Sequence, residues 1–225
     1  NDGKFTTQEE INNWPINVDG QGNKTLLPGD LKYRDINGDF VINALDQRPI
    51  GYGLGTQPNI NFGATFGVAY KSFDFNMDFS GGAGYTWFQN FETKWAFQNN
   101  GNLNTIFEDR WHRTDPYDVN SAWIPGYYPP NRFNQSGHSS NNRRSTFWGH
   151  NVKYLRARTI QLGYTIPPTV LARVKVQRAR IYINAYNLFT FDNLRKYAVD
   201  PEIQDDNGLQ YPQVVNINGG INLSF

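Results

Sequence analysis

The chain has 225 residues, enough for one large β domain or two smaller ones. Its 21 Lys and Arg against 20 Asp and Glu leave no basic field for nucleic acid, and the absence of cysteine removes disulfides, thiolate metal sites and a cysteine nucleophile. No stretch approaches the ~18 apolar residues of a membrane-spanning helix, while 16% aromatics and a mean hydropathy of −0.65 suit a β-rich protein whose apolar residues occupy alternate positions.

Residues 1–57 are polar and punctuated by Pro15, Gly20, Gly22, Pro28, Gly29, Gly38 and Pro49, and read as a long loop. Neither an initiator Met nor a signal peptide stands at Asn1, so the chain reads as a mature or cut piece of something longer. Inside the loop, residues 35–46 space oxygen ligands as a calcium loop does. Asp35, Asn37, Asp39, Asn43 and Asp46 fall at positions 1, 3, 5, 9 and 12, and Val41 offers its carbonyl at 7. Two departures from the EF-hand form stand out: Phe40 occupies the usual Gly position, and Asp46 is one methylene shorter than Glu. An Asx-rich turn without metal has the same residue content.

From Ile60 the pattern changes. Ile60, Phe62, Ala64, Phe66, Val68 and Tyr70 alternate with small or polar residues, and after Lys71-Ser72 so do Phe73, Phe75, Met77 and Phe79. A period of two is a strand, and a two-residue turn pairs Tyr70 with Phe73, Val68 with Phe75, Phe66 with Met77 and Ala64 with Phe79. All the apolar residues then share one face.

Residues 85–150 have no sustained period, and hold Trp87, Trp95, Trp111, Trp123 and Trp148 with His112, His138 and His150. A loop this long is uncommon inside a compact domain unless it is functional. Outer-membrane barrels, with short periplasmic turns and long external loops, are the exception.

Strand character returns at Val152. Ile160, Leu162, Tyr164 and Ile166 make one face, and strict alternation adds Arg156 and Arg158 to it, at ~2–4 kcal/mol each in mid-bilayer. Either these two lie above the membrane or a bulge near Arg158 swaps the parity. Ala179, Ile181, Ile183 and Ala185 continue toward Asn187-Leu-Phe-Thr-Phe191. In the last stretch Val215, Ile217, Ile221, Leu223 and Phe225 oppose Asn216, Asn218, Asn222 and Ser224.

The expected organisation is all-β: an antiparallel segment of a transmembrane β-barrel. Residues 1–57 form an extracellular loop containing the calcium-like loop 35–46, 58–84 a hairpin, 85–150 a long extracellular loop, 151–190 a second hairpin, 191–213 an extracellular loop and 214–225 the C-terminal strand. Strands at 58–70, 72–84, 152–166, 178–190 and 214–225 have connectors that alternate short and long. With the short turns periplasmic, Tyr70, Phe73, Tyr164 and Phe225 all fall near the lower interface, where an aromatic girdle belongs. These strands are too few to close a barrel, since even small barrels need about eight.

Several strings resemble the C-terminal portion of SusC/RagA-type TonB-dependent outer-membrane transporters. They are Phe5-Thr-Thr-Gln-Glu-Glu-Ile11, Pro28-Gly-Asp-Leu-Lys-Tyr-Arg-Asp-Ile-Asn-Gly-Asp39, Tyr154-Leu-Arg156, Leu162-Gly-Tyr-Thr-Ile-Pro167, Asn187-Leu-Phe-Thr-Phe191, Val199-Asp-Pro-Glu202 and Tyr211-Pro212. The resemblance implies five C-terminal strands of a large plugged barrel of about 22 strands. It also implies a SusD-like surface lipoprotein over the extracellular mouth and import driven by TonB through an N-terminal part. Phe40 and Gln213 depart from that pattern.

The function expected is import of an oligomeric nutrient, a glycan or a peptide, by a protein of the bacterial outer membrane with its C-terminus periplasmic. Outer-membrane lipid, TonB and the lipoprotein are the partners, Ca²⁺ is the one candidate cofactor, and the five tryptophans of 85–150 are candidate substrate or partner contacts. Folding the loop on itself is their other possible role. The alternative is a soluble calcium-stabilised β-rich carbohydrate-binding module. Catalysis is not expected: Glu108/Asp109 and Asp115/Asp118 are loop acids, the histidines lack metal spacing, and no phosphate loop or nucleophile elbow is present.

Overall fold

A computed structural model describes residues 1–52, 57–133, 139–172, 175–203, 210–211 and 213–225. His138 and Pro212 lie outside the described residues. The chain divides into two compact units.

The sheet unit draws on Tyr52–Thr86, 151–203 and Gln210–Phe225. Its strands are β1 (Ile60–Tyr70), β2 (Phe73–Phe88), β5 (Gly149–Thr165), β6 (Arg178–Tyr186), β7 (Thr190–Asp192) and β8 (Asn216–Ser224), in the order β1-β2-β5-β6-β8 with β7 also on β5. The pairs β1–β2, β5–β6, β5–β7 and β6–β8 are antiparallel, and β1 and β8 each end the sheet, so it is open.

The first hairpin has the register that its alternation dictates, with Tyr70 opposite Phe73, Val68 opposite Phe75, Phe66 opposite Met77 and Ala64 opposite Phe79. Lys71 takes the positive φ (54°) that tight hairpin turns of this class need. Farther along, Leu162 faces Ile183, Tyr164 faces Ile181, and Ile181 faces Ile221, which continues the apolar row through β5, β6 and β8. Among the described residues no packed layer covers this row: Ile60 is 59% exposed, Phe66 57%, Ile183 50% and Leu223 53%. In a water-soluble sandwich the same residues would converge in a dry interior.

At one end of the sheet the aromatics gather. The Phe73 and Tyr164 rings lie 4.8 Å apart, and Thr165 N–H donates to Ser72 O at 2.8 Å, next to the turn that carries Tyr70. Thr165 pairs with Arg180, and Arg178 with Ser224, so Phe225 follows at the same end.

A break in register resolves the two arginines. Thr159 is opposite Tyr186 but Arg156 is opposite Thr190, so three steps on β5 match four on its partner. The extra residue is a bulge, and Asn187, at φ 52°, carries its strain. Below it, Ile160 and Leu162 belong to the apolar row. Above it, Arg158 Nε donates to Ser80 Oγ at 2.6 Å, on the polar face that β2 shares with Asp74, Asn76 and Asp78.

The loop unit draws on Asn1–Gly51 and Trp87–His150. Regular structure is sparse: α1 (Gln8–Asn12), a two-residue pairing of β3 (His112–Arg113) with β4 (Trp123–Ile124), α2 (Ser139–Asn142) and short 3-10 turns, one at Thr105–Glu108. Yet the unit has a core of its own, in which Phe5, Ile11, Val18, Leu26, Leu31, Tyr33 and Ile42 meet Phe107, Tyr128, Phe147 and Trp148. These apolar residues follow no period because irregular backbone presents them, so alternation could not reveal them. The short α3 (Pro168–Leu171) belongs to the sheet unit.

Candidate functional site

The polar face of the sheet is where charge concentrates. Arg156, whose side chain is 3% exposed, donates from one Nη to both oxygens of Asp200, at 2.7 and 2.8 Å, and its other Nη lies 3.0 Å from Glu202. Glu202 also takes Arg158, and Glu202 N–H donates back to Asp200 at 2.9 Å. The Tyr85 hydroxyl donates to Pro201 O. The Val199-Asp-Pro-Glu202 string thus folds two carboxylates onto the two arginines of Tyr154-Leu-Arg156-Ala-Arg158. Buried charge is tolerated only when paired and hydrogen-bonded in this way. The signal in the sequence was two arginines on an otherwise apolar face; their partners lie more than forty residues away and no spacing rule names them.

A second pair spans three strands. Asp74 on β2 meets Arg180 on β6, with Arg180 Nε 2.9 Å from Asp74 Oδ2, over the intervening β5. The pair passes above Gly163, where a Cβ would overlap both side chains.

The calcium-like residues share one exposed turn. Asp35 accepts from Gly38 N–H (2.7 Å) and Phe40 N–H (2.8 Å), Asp46 from Ile36 and Asn43 N–H (2.8 Å each), and Asp39 from Val41 N–H (2.9 Å) and the Asn37 amide (2.8 Å). Asn43 Nδ2 reaches Asp39 and Val41 O. Phe40 adopts φ 61°, the conformation for which an EF-hand uses Gly, so its side chain does not abolish the turn. The hydrogen bonds from Asn37 and Val41 hold the Asp39 carboxyl below its usual range; those to Asp46 do the same against the opposing cost of desolvation. The donor set is all hard oxygen, as Ca²⁺ requires. Among the described residues, however, no group of three or more His, Asp or Glu is placed so as to hold a metal ion.

The tryptophans divide. Trp148 is 1% exposed and donates its Nε1 to Asn141 O at 2.7 Å. Trp111 is buried over Gly29, and Trp87 is buried and stacked on His150 at 5.8 Å. These three are buried within the loop unit, and Trp148 also lines a cavity in it. Trp95 and Trp123 are half-buried, the latter under the Arg113 guanidinium at 4.6 Å. Among the loop acids, Asp109, Asp115 and Asp118 each accept a nearby backbone N–H and so shape turns.

The Pro28-Gly-Asp-Leu-Lys-Tyr33 string anchors the unit. Gly29 takes φ 95°; Asp30, fully buried, accepts Leu27 N–H (2.8 Å), Arg132 (2.6 Å) and the Asn141 amide (2.8 Å), and Tyr33 donates to Ser140 O at 2.7 Å.

No protein-family model matches the chain. In sequence it is 26% identical, over 99% of its length, to TonB-dependent receptor P26 of Formosa agariphila, and 28% identical, over 90%, to TonB-dependent receptor P39 of the same organism. The chain spans about a fifth of these relatives, 22% and 19% respectively. In fold it is similar to the RagAB peptide importer in its open-open and closed-closed states, with TM-scores of 0.54 and 0.56 at 22% identity, over 76% of this chain and 18% of that one.

Proposed function

With the resemblance to SusC/RagA-type TonB-dependent transporters holding in sequence and in fold, we propose that the chain forms barrel wall and external loops of a bacterial outer-membrane importer. Its cargo is an oligomeric nutrient, a glycan or a peptide, and its partners are a SusD-like surface lipoprotein and TonB. The observation that carries this reading is the uncovered apolar row of Ile60, Phe66, Leu162, Ile183 and Leu223, backed by a polar face of ion pairs. Acyl chains satisfy such a row, and a wet or plugged lumen satisfies the other side. The aromatic end at Tyr70, Phe73, Tyr164 and Phe225 is the periplasmic girdle, and the loop unit is extracellular. A soluble carbohydrate-binding module would leave the row in water, which monomeric soluble proteins avoid at this size.

Deleting the gene tests the reading. The mutant should lose growth on one class of oligomer, glycan or peptide, while keeping growth on its monomers, and the protein should fractionate with outer membranes. Normal growth on oligomers together with a soluble protein would reject it.

Calcium is a subordinate part of the proposal. Asp35, Asn37, Asp39, Asn43, Asp46 and the Val41 carbonyl are the donors. Each carboxylate keeps lone pairs beyond those used by N–H groups, and the cation would draw the turn tighter. Millimolar Ca²⁺ should raise the melting temperature in the parent and leave Asp39→Asn unaffected; no shift in the parent rejects the site.

A further inference from the structure

A cavity of about 290 Å³ lies in the loop unit, lined by Phe88, Gln89, Lys94, Trp95, Arg144 and Trp148 among others. Local backbone builds it. Gln89 N–H is fastened to Trp148 O at 2.9 Å, and the 3-10 turn Phe91–Thr93 returns the chain so that Trp95 N–H donates to Phe91 O at 2.7 Å. Lys94 and Trp95 are thereby folded back beside the end of β2.

The charges in this cavity are of one sign. Lys94 is 5% exposed, donates one hydrogen bond to Asn142 O (2.6 Å) and lies 5.4 Å from the Trp148 ring. Arg144, exposed at the outer side, stacks its guanidinium 4.3 Å over Phe88. Among the described residues no Asp or Glu lines the space. Burial, and after it the Arg144 charge, pull the Lys94 ammonium down to about 8. Trp95 adds a buried indole N–H without a hydrogen-bond partner among the described residues.

An ammonium with donors to spare, a guanidinium fork and an unused indole N–H, set between aromatic faces, lack one thing: a planar anion with an apolar body. The volume sits just below the ~300–1,000 Å³ of sites for larger ligands, so it admits one residue-sized group and not a chain. We propose that this cavity binds the carboxylate of a small organic acid group, with the carboxylate on Lys94, Arg144 and the Trp95 N–H and the remainder against the aromatic wall. A sugar acid and the C-terminal residue of a peptide both carry this chemistry. The site stands on its own geometry and does not depend on the direction or energetics of import.

The test uses the full receptor in detergent, titrated calorimetrically with glucuronate and with N-acetylglycine, and with their neutral counterparts glucose and N-acetylglycinamide. At least one acid should bind saturably while its neutral counterpart does not, and Arg144→Gln should weaken that binding at least tenfold. Arg144 is exposed, so the fold tolerates this change. Preference for glucuronate identifies a sugar acid as the source, and preference for N-acetylglycine a peptide end. Saturable binding by neither acid, equal binding of acid and neutral counterpart, or an Arg144→Gln receptor that binds like the parent overturns the proposal.

Discussion

Asp74 and Arg180 join strands that are not neighbours, and they meet only because Gly163 on the strand between them has no side chain. A methyl group at that position occupies the space of both charged groups. Gly163→Ala should therefore separate the pair and cost about 1.5–3 kcal/mol, the range for hydrogen bonds to charged groups. Gly63 is the control: it is on the same face, and a Cβ there makes only ordinary contact with Phe79 O, so Gly63→Ala should be near neutral. Denaturation midpoints of the two variants in detergent decide; equal midpoints would mean that the bridge contributes nothing.

The cluster of Arg156, Asp200 and Glu202 should behave differently. Here the charges are almost fully buried, and removing one partner leaves another without compensation. Arg156→Met and Asp200→Ala are each expected to destabilise by roughly 3–5 kcal/mol. The double variant should lose less than the sum, because neither charge then remains alone. Strict additivity in a double-mutant cycle would show that the contact carries no coupling.

The sheet was legible in advance because its rule is local. From Ile60 to Phe79 the alternation and a two-residue turn specify which residues are paired, and the observed register agrees at each pair. Arg156 and Arg158 conflicted with that rule, which left open either a place above the membrane or a bulge near Arg158, and the break in register falls there. Their partners were illegible: Asp200 and Glu202 arrive by a loop. The same holds for the loop unit, where Phe5, Leu31, Phe107 and Trp148 meet through turns whose apolar residues follow no spacing. The tryptophans in particular gave composition but not burial: Trp148, Trp111 and Trp87 are buried, whereas Trp95 and Trp123 are half-buried.

That packing predicts a cooperative unit where the sequence suggested only loop. Leu31, fully buried, should cost about 2–5 kcal/mol on truncation to Ala. Gly29→Ala should also be destabilising, since φ 95° is strained for any side chain and Trp111 fills the site. Limited proteolysis reads both: cuts within 1–51 and 87–150 should accelerate together in either variant. Independent cleavage of the two segments would contradict a shared core.

Lys94 gives a pH dependence of defined sign. Its pKa is lowered to about 8, first by burial and then by Arg144, against 10.5 in the unfolded chain. Below pH 8 both states are protonated, and the folded state bears the cost of a buried ammonium. Between about 8 and 10.5 the unfolded state holds more protons, so stability rises with pH, by about 3 kcal/mol in all. Lys94→Met should remove that rise. A parent and variant with parallel stability curves across this window would show that Lys94 is not the titrating group.

The most direct test of the central claim uses the absence of cysteine from the chain. Single cysteines placed at Phe66, Ile183 and Ile221 on the apolar row, and at Thr65, Asn184 and Asn222 on the polar face, can be spin-labelled in the receptor reconstituted into lipid bilayers. Labels on the first set should collide with dissolved oxygen more than with a water-soluble nickel chelate, and labels on the second set should not share that preference. Chelate access equal to or greater than oxygen access at Phe66, Ile183 and Ile221 would contradict a lipid-facing wall.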